Sequence, residues 1–337
     1  MAGITHLEQF QKPYLKGLID ESIQDRTETL GDRFLPNENT YSNTFAYDVI
    51  KKSKHIGAMI GYGSEPPVVD RDAVASMSGE IAKMGLKYIA TESELLALHQ
   101  ARNNGEKSAM VERLTVKGLD LVEAISRRID VIKMEALTKG TFAYNKNGVK
   151  VAVDFGIPAE HKVALTGEGW NDVNRDVVGD LLSWVDTYVD STGQRPSVIL
   201  MSREANAKLL RNLNIVVEAG RPDGVTRVNQ AQLNEVLQGY GLPTIQIVDD
   251  RKVTVKDIYT GEQEVIEFMP ENRIVFLSEG VGNFLVGPTV ENGFQPGIVL
   301  EAKDVDEPIQ SILRAVAAGF PAVEDPALIF HADVYSV

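Results

Sequence analysis

The stretch of sequence that decides the fold is EKSAMVERLTVKGLDLVEAISRRIDVIKMEALTK, residues 106–139, which contains no proline and one glycine. Apolar and small residues recur in it at spacings of three and four, the repeat of one face of an α-helix. They are Leu114, Gly118, Leu121, Val122, Ile125, Ile129, Ile132 and Ala136. Most charged residues, Asp130 and Lys133 among them, fall off that face. The pattern therefore predicts one continuous helix, about 50 Å long at a rise of 1.5 Å per residue.

A helix of this length needs a partner surface along most of its length, because helices in proteins gain most of their stability from packing. Two kinds of partner are open, a coiled coil or helical bundle and a β-sheet. The face mixes Gly118 and Ala136 with β-branched residues and has no sustained leucine zipper. This mixture favours packing on a sheet.

The composition limits the classes of protein to which the chain can belong. Its 337 residues are 43% hydrophobic and 24% charged, which is ordinary for a folded protein and enough for two or more domains. The longest apolar runs are short, so we predict no membrane-spanning segment, and the N-terminus lacks a signal-peptide core. With no cysteine, the chain has no disulfide, thiolate metal site or cysteine nucleophile, which fits a reducing compartment.

The formal net charge is −14, with 48 acidic residues against 34 lysines and arginines. A protein that holds nucleic acid by its phosphates is locally basic, and no dense Lys/Arg run appears in the sequence. An acidic surface repels a phosphate backbone. The charge therefore argues against a protein that holds nucleic acid by its phosphates.

The first ninety residues are poor in core residues and are predicted to lie outside a compact domain. Residues 1–46 read as an N-terminal arm with a short helix at 14–27, the alternative being a frayed terminus. Residues 47–91 read as a long two-stranded excursion that turns at 63–67, where two prolines end the ladder. Because such ribbons are only marginally stable alone, we expect this one to rest on a neighbouring subunit.

The rest of the chain alternates strands and helices, which predicts an α+β fold. A helix at 92–104 leads into the long helix, and a hairpin at 141–156 turns at Asn147-Gly148, a preferred pair for such a turn. Compact α/β structure follows, with predicted helices at 170–193, 203–213 and 228–241, strands at 196–202, 242–250 and 272–279, and a hairpin at 253–268. A Gly-rich connection is predicted up to residue 292, and short strands with Pro-marked turns at 307–334.

No residue pattern in the sequence indicates catalysis. The histidines are scattered, none at metal-ligand spacing, and are predicted to be surface or hydrogen-bonded core residues: His6, His55, His99, His161 and His331. The segment Gly280-Val281-Gly282 lacks the third glycine and helix of a dinucleotide site, and neither a phosphate-binding loop nor a nucleophile elbow occurs.

Two acidic pairs, Asp249-Asp250 and Asp304 with Asp306, have the chemistry to hold a divalent cation. In a chain this acidic, the favoured interpretation is that they are solvated loop residues. We therefore predict no catalytic, cofactor-binding or metal-binding residue.

Several segments, in order, carry a family resemblance. They are LTKGTFAY (137–144), VAVDFG (151–156), VILMSREANAKLLRN (198–212), EFMPENRIVFLSEGVGNFLVGPT (267–289) and DEPIQSILRAVAAGFPAVEDPALIFHADV (306–334). From about residue 34 to the C-terminus the chain resembles the lambda-type major capsid protein (E family) of tailed bacteriophages. No single motif is as sharp as a catalytic signature, and the likeness rests on their order and spacing.

The resemblance implies the HK97-like coat fold of tailed phages and a division of the chain into named parts. These are an N-terminal arm at 1–46, an extended loop at 47–91, a peripheral domain at 92–160 with its spine helix at 106–139, an axial domain at 161–300, and a return to the peripheral domain at 301–337.

The function implied by the resemblance is mechanical and not enzymatic. Such proteins assemble as hexamers and pentamers into an icosahedral shell that encloses the DNA genome, first as a procapsid that later expands. The implied partners are other copies of the chain, a scaffolding protein, a portal protein, a possible decoration protein, and packaged double-stranded DNA without sequence-specific contacts. The implied location is the virion, after assembly in the cytoplasm of the host bacterium.

Three further hypotheses stay open from the sequence. One coat-protein lineage links its subunits through Lys–Asn isopeptide bonds, for which Lys51, Lys52 and Lys54 are candidates, although lambda-type relatives lack this crosslinking. A cellular nanocompartment shell of encapsulin type has the same fold. From a different class, a soluble α/β enzyme or binding protein would have residues 170–280 as its core.

Overall fold

The computed structural model of the chain describes residues 3–51, 73–146, 149–222, 224–257 and 260–336. The described chain mixes helices and sheets, as predicted, and divides into two compact units. The first unit consists of Met1–Phe45, Glu80–Met134 and Asn283–Pro321. The second consists of Ala46–Gly79, Glu135–Gly282 and Ala322–Val337.

The helices are numbered in chain order. They are α1 (Lys12–Gln24), α2 (Leu30–Phe34), α3 (Glu92–His99), α4 (Asn104–Lys139), α5 (Val177–Thr192), α6 (Arg203–Arg211), α7 (Leu213–Glu218) and α8 (Gln230–Gly239).

The strands are β1 (Asn37–Asn39), β2 (Thr44–Lys51), β3 (Ala73–Glu80), β4 (Ala82–Ala90), β5 (Thr141–Lys146), β6 (Val149–Asp154), β7 (Lys162–Ala164), β8 (Val198–Ser202), β9 (Thr244–Val248), β10 (Lys252–Lys256), β11 (Gln263–Glu267), β12 (Arg273–Leu277), β13 (Gly282–Thr289), β14 (Gln295–Pro296), β15 (Val299–Asp306), β16 (Ile309–Val323) and β17 (Ile329–Asp333).

The long helix is confirmed. Helix α4 has 36 residues, which makes it about 54 Å long. The residues of the predicted face are buried, except that Leu121 is half-buried. The small residue Gly118 packs against β15, where an added Cβ would lie 3.0 Å from Cδ2 of Leu300. The prediction of a sheet as the partner of this face is therefore correct for the middle of the helix.

A six-stranded sheet forms the centre of the first unit. Strand β16 is paired with β13, β15 and β4, while β1 and β14 pair with β13. Two predictions are wrong here. The Gly-rich connection expected up to residue 292 is largely strand β13, and the first part of the tail, where short strands were expected, is one 15-residue strand, β16, followed after Pro326 by the short strand β17. Strand β13 pairs with β1 and strand β16 with β4, both far away in sequence, and local turn signals do not reveal such partners.

The N-terminal segment is not an arm detached from its own chain, so this prediction is wrong for residues 3–45. Helix α1 packs on β15, and β1 extends the sheet by pairing in parallel with β13. The buried residues of the segment are Ile4, Phe10, Leu15, Ile19, Phe34 and Leu35. They are dispersed among polar residues, which is why the segment looks poor in core residues when read locally.

The predicted extended loop at 47–91 is corrected in its last part. Strands β2 and β3 form a two-stranded sheet of their own in the described part of the chain. Strand β4, in contrast, is paired with β16 over nine positions, from Ala90 opposite Ser311 to Ala82 opposite Gly319. The predicted turn at 63–67 lies outside the described residues.

A five-stranded sheet forms the core of the second unit, in the order β7-β17-β12-β8-β9. Strands β12 and β17 are antiparallel, whereas β8 and β9 are parallel. An aromatic cluster under α5 contains Trp170, Trp184, Phe276 and Phe330, with ring centroids 5.5 to 6.5 Å apart in successive pairs. Helix α5 begins at the Asp176 cap, later than the predicted residue 170, and ends at Gly193 as predicted.

Both predicted hairpins of the second unit are confirmed. Strands β5 and β6 pair with Lys146 opposite Val149, so two residues connect them. The connecting pair, Asn147-Gly148, lies outside the described residues. Strands β10 and β11 pair from Lys252 opposite Glu267 to Lys256 opposite Gln263.

The boundaries between the two units differ from the predicted ones in three places. Residues 135–160 belong to the second unit rather than with the rest of the long helix. Residues 283–300 belong to the first unit, because β13 pairs with β1 and β16. Residues 322–337 belong to the second unit, because β17 pairs with β12 and β7 and does not return to the first sheet.

Candidate functional site

The titratable residues singled out from the sequence have structural partners. In the second unit, Nε2 of the buried His331 lies 2.8 Å from the carbonyl oxygen of Leu137, and burial lowers the pKa of His331 to about 3. Nε2 of His161 lies 2.6 Å from Oγ of Ser191, and burial also lowers the pKa of His161. Both are hydrogen-bonded core residues, as predicted. His6 stacks on His99 in the first unit, and His55 lies outside the described residues.

The two acidic pairs predicted from the sequence lie in different environments. Asp249 forms an exposed ion pair with Arg203, 2.7 Å from Nη2. The sequence predicted that Asp304 is a solvated loop residue. This prediction is wrong, because Asp304 is part of strand β15. In the part of the chain that the structure describes, no group of three or more His, Asp or Glu side chains is placed to hold a metal ion.

Asp304 holds the start of the described chain. Its carboxylate accepts hydrogen bonds from the backbone N–H groups of Ile4 (3.1 Å) and Thr5 (3.3 Å), from the Thr5 hydroxyl, and from Oγ of Ser311 (2.6 Å). Burial alone would raise the pKa of Asp304, but these donors outweigh it and the pKa lies below its usual value. The arrangement fastens Ile4 and Thr5 to β15.

A second set of charges lies between α2 and the long helix; we call it the α2–α4 charge network. It consists of Arg26, Asp32, Asp130 and Lys133, with Thr29 and Asn37 as polar neighbours. Lys133 is fully buried, and its Nζ lies 2.7 Å from both Oδ1 of Asp32 and Oδ1 of Asn37. The same nitrogen lies 5.1 Å from the centroid of the Phe284 ring. Burying a cation is costly unless it is paired, and here Lys133 forms an ion pair with Asp32 and donates a hydrogen bond to Asn37.

The local sequence explains how this network forms. Thr29 caps α2, with Oγ1 accepting from N–H of Asp32 while N–H of Thr29 donates to the Asp32 carboxylate. The cap fixes the Asp32 side chain at the first turn of α2. Gly31 lets α2 approach α4, since an added Cβ would lie 2.9 Å from Cβ of Lys133.

The pKa values of the network have opposing causes. Burial lowers the pKa of Lys133, although the Asp32 carboxylate acts against it. For Asp32, burial raises the pKa, but the hydrogen bond and charge of Lys133 prevail and the pKa is lowered. Burial raises the pKa of Asp130, against the attraction of Arg26, with which it is paired.

The spacing of the apolar residues places Lys133 off the buried face, so it does not predict this network. Residues 131–134 and 136–138 are all buried, so near its C-terminal end α4 is buried around its whole circumference and not only along one face. The usable signal was Val131 next to Ile132, which widens the apolar face of the helix at that point.

A third set of charges crosses the six-stranded sheet. Arg314 of β16 is directly opposite Glu301 of β15, and its Nε donates to the Glu301 carboxylate over 2.8 Å. Glu291, in the turn after β13, accepts from Nζ of Lys83 at 2.8 Å and lies 3.5 Å from Nη1 of Arg314. The hydrogen bond from Lys83 lowers the pKa of Glu291. Opposite charges on facing strands stabilise the pairing modestly.

The same turn exposes an aromatic residue in an unusual backbone conformation. Phe294 has a φ of 64° and its side chain is 68% exposed, and nearby Val290 is equally exposed. A positive φ is strained for a bulky residue, and an exposed phenyl ring gains nothing from burial within its own chain.

These arrangements fasten segments together. Two shallow cavities lie in the described residues, one of about 410 Å³ beside α1 and α4 and one of about 490 Å³ beside α6 and α8. The lining of the smaller cavity contains one carboxylate, Glu112, to which neither aliphatic hydroxyl of the lining, Ser108 or Thr115, is hydrogen-bonded, and the lining of the larger cavity contains no carboxylate. No helix in the described part of the chain combines the length and apolar character needed to cross a membrane.

Comparisons with solved structures identify the architecture. The putative capsid protein of a prophage of Escherichia coli CFT073 superimposes with a TM-score of 0.60 at 14% sequence identity, covering 96% of this chain and 98% of that one. A phage-related protein from Bordetella bronchiseptica RB50 gives 0.56 at 11% identity, covering 94% and 96%. The capsid protein of Myoviridae phage XM1 gives 0.50 at 12% identity, covering 91% and 93%. No curated protein sequence matches. The fold is therefore the HK97-like fold of phage capsid proteins.

The model of one sequence family, phage major capsid protein E, matches residues 20–291. The chain belongs to this family, as the resemblance implied. It is a structural protein of the phage capsid, and its function is to build the capsid shell.

Proposed function

We propose that the chain assembles as hexamers and pentamers into an icosahedral shell around the phage DNA, first as a procapsid that later expands. The first compact unit would then be the peripheral domain and the second the axial domain. The proposal includes the absence of enzymatic activity. Its partners are a scaffolding protein, a portal protein, packaged DNA held without sequence-specific contacts and, as a further option, a decoration protein. Assembly takes place in the cytoplasm of the host bacterium.

The observation that carries this proposal is the pairing of β2 with β3. Within the described residues these strands are paired with each other and with no third strand, whereas β4 is part of the six-stranded sheet. A two-stranded ribbon is marginally stable by itself. Support from a neighbouring copy would explain its formation, and mutual support between identical copies leads to closed assemblies.

The net charge supports the part of the proposal that concerns DNA. An excess of 14 negative charges keeps a phosphate backbone from adhering, so packaged DNA can slide along the shell. The crosslinking hypothesis gains no support, because Lys52 and Lys54 lie outside the described residues and lambda-type relatives lack this chemistry.

Electron microscopy of the purified full chain tests the proposal. We expect hexamers, pentamers, tubes or shells in negative stain. A discrete monomer or dimer at high protein concentration would contradict it and favour a soluble α/β binding protein or enzyme. Neighbouring genes distinguish a viral shell from a nanocompartment, since terminase, portal and protease genes accompany the first and a cargo enzyme accompanies the second.

A deletion tests the role of the ribbon. Replacing residues 52–72 by a short Gly-Ser linker keeps β4 and the sheet of the first unit intact. We expect the far-ultraviolet circular dichroism of the variant to match that of the unaltered chain while assembly is lost. Normal shells from the variant would show that these residues do not hold a neighbour.

A further inference from the structure

Three arginines surround one cavity of the second unit. The cavity, of about 490 Å³, lies between α6, α8 and the loop that joins α7 to α8. Arg211 lies at the end of α6, while Arg221 and Arg227 lie in the loop. Backbone hydrogen bonds hold the loop in place, from N–H of Val228 to the carbonyl oxygen of Leu210 (2.9 Å) and from N–H of Arg221 to that of Val216 (3.3 Å).

The guanidinium groups of these three residues form no salt bridge with any residue that the structure describes. The contrast with other arginines of this acidic chain is clear, since salt bridges are formed by Arg26, Arg127, Arg175, Arg203, Arg251, Arg273 and Arg314. The N-terminal end of α8, at Asn229 and Gln232, lines the same cavity and adds the positive end of a helix dipole.

The remaining lining residues are apolar: Ala207, Leu210, Val225 and Val228. Such a floor is a poor support for a phosphodiester backbone, which stays hydrated when bound. A carboxylate carried on a folded protein segment fits better, because guanidinium groups bind carboxylates in a bidentate manner while the segment's apolar stems cover the floor.

A complementary surface exists on the same unit. Helix α5 exposes Asp186 and Asp190, four residues apart and hence neighbours on one side of the helix. Neither forms a salt bridge within the described chain, and like charges at this spacing repel each other. The two surfaces thus carry opposite charges that the single chain leaves unpaired.

We propose that the three-arginine cavity receives the Asp186–Asp190 side of α5 from a second copy of this chain. The two surfaces differ, so each copy inserts its own α5 into the cavity of one neighbour and receives α5 of another neighbour in its own cavity. This is the head-to-tail arrangement that closes rings. The inference rests on the proposed shell function, since it requires copies in contact.

Charge reversal of the full chain tests the contact. We expect Arg221→Glu/Arg227→Glu, and separately Asp186→Lys/Asp190→Lys, to weaken association about tenfold or more in sedimentation velocity. The quadruple variant, in which the charges are exchanged, should recover association. The control substitutions Arg203→Glu and Glu235→Lys each reverse one charge at an exposed position outside the cavity, half the charge change of each double variant, and should leave association unchanged. Thermal unfolding of each variant shows that it is folded.

A second measurement does not depend on altered charges. The chain has no cysteine, so Thr226→Cys, between the two loop arginines and exposed, gives a single site for a photoreactive crosslinker. Mass spectrometry should identify α5 of another copy as the crosslinked peptide.

The outcomes separate this inference from the proposed function. A wild-type chain that remains monomeric contradicts both. Wild-type assembly with undiminished assembly of the reversed variants, or without recovery in the quadruple variant, overturns only the contact. A further variant, Arg211→Gln/Arg221→Gln/Arg227→Gln, tests for a phosphate site. If this variant assembles normally but no longer binds a labelled DNA duplex, the proposed contact is overturned and the cavity is a phosphate site.

Discussion

The ammonium nitrogen of Lys133 lies 2.7 Å from Oδ1 of Asp32, and the lysine is fully buried. This ion pair joins two elements that are 101 residues apart in the sequence, the capped start of α2 and the last third of the long helix. It makes the position of the N-terminal segment dependent on a charge that water does not reach.

Replacing this buried cation should destabilise the chain. We expect Lys133→Met to lower the free energy of unfolding by about 1.5–3 kcal/mol, because the partly buried Asp32 carboxylate and the exposed Asn37 lose their shared partner. Lys117→Met on the exposed side of the same helix, which removes the pair with Asp120, should cost less than about 0.5 kcal/mol. Urea unfolding of the unassembled chain measures both values. Equal effects of the two substitutions would show that the α2–α4 charge network contributes nothing beyond a surface pair.

The carboxylate of Asp304 should control the order of the N-terminus. Asp304→Ala removes the acceptor of the Ile4 and Thr5 amides, and hydrogen bonds to a charged group contribute about 1.5–3 kcal/mol. We therefore expect hydrogen exchange of these amides to accelerate about tenfold or more. Asp306→Ala, at an exposed position of the same strand, is the matched control and should leave their exchange rates unchanged.

The positive φ of Phe294 predicts a difference between two truncations. Phe294→Gly and Phe294→Ala both remove the phenyl ring, but only glycine adopts a φ of 64° without strain. The glycine variant should be more stable than the alanine variant by about 1 kcal/mol in thermal or urea unfolding. An alanine variant of equal or greater stability would contradict the strain at this turn.

The stability of the second unit should fall on mild acidification. Burial lowers the pKa of His331 to about 3, below the value of about 6.5 in an unfolded chain. The folded state therefore resists protonation, so stability is full above pH 6.5 and declines as the pH falls toward 3. The limiting slope is about 1.4 kcal/mol per pH unit.

His331→Gln keeps a side-chain N–H donor for the Leu137 carbonyl without a titrating group. The loss of stability between pH 7 and pH 5 should be about 1–2 kcal/mol smaller in this variant than in the unaltered chain. The lowered pKa values of Asp32 and Asp304 act below pH 4 and do not contribute in this range. Parallel pH curves for the two proteins would contradict the lowered pKa.

What was predicted correctly has a local cause. The face of α4 repeats with the period of a helix, and β5 and β6 pair with each other on either side of the predicted turn. Each of these signals lies within a few turns or a single loop. The family resemblance added the order of these elements along the chain, and with it the class of protein.

The candidate sites could be predicted only in part, because most of their contacts join residues that are far apart in the sequence. The absence of ligand spacing predicted that His161 and His331 are surface or core residues, and only the structure places both in the core. The roles of Asp304 and Lys133 could not be predicted in this way. Asp304 contacts Ile4 and Thr5, which lie 300 and 299 residues away in the sequence, and Lys133 contacts Asp32, which lies 101 residues away.

The sequence by itself determined the long helix, the two hairpins, the alternating elements of the second unit and the absence of a recognisable catalytic motif. Only the tertiary structure decided that the N-terminal segment packs on β15, that β16 is one long strand, and that β17 belongs to the second sheet. The physical reason is that strand pairing and burial join residues hundreds of positions apart, and the free energy of such contacts depends on the partner surface rather than on the local pattern.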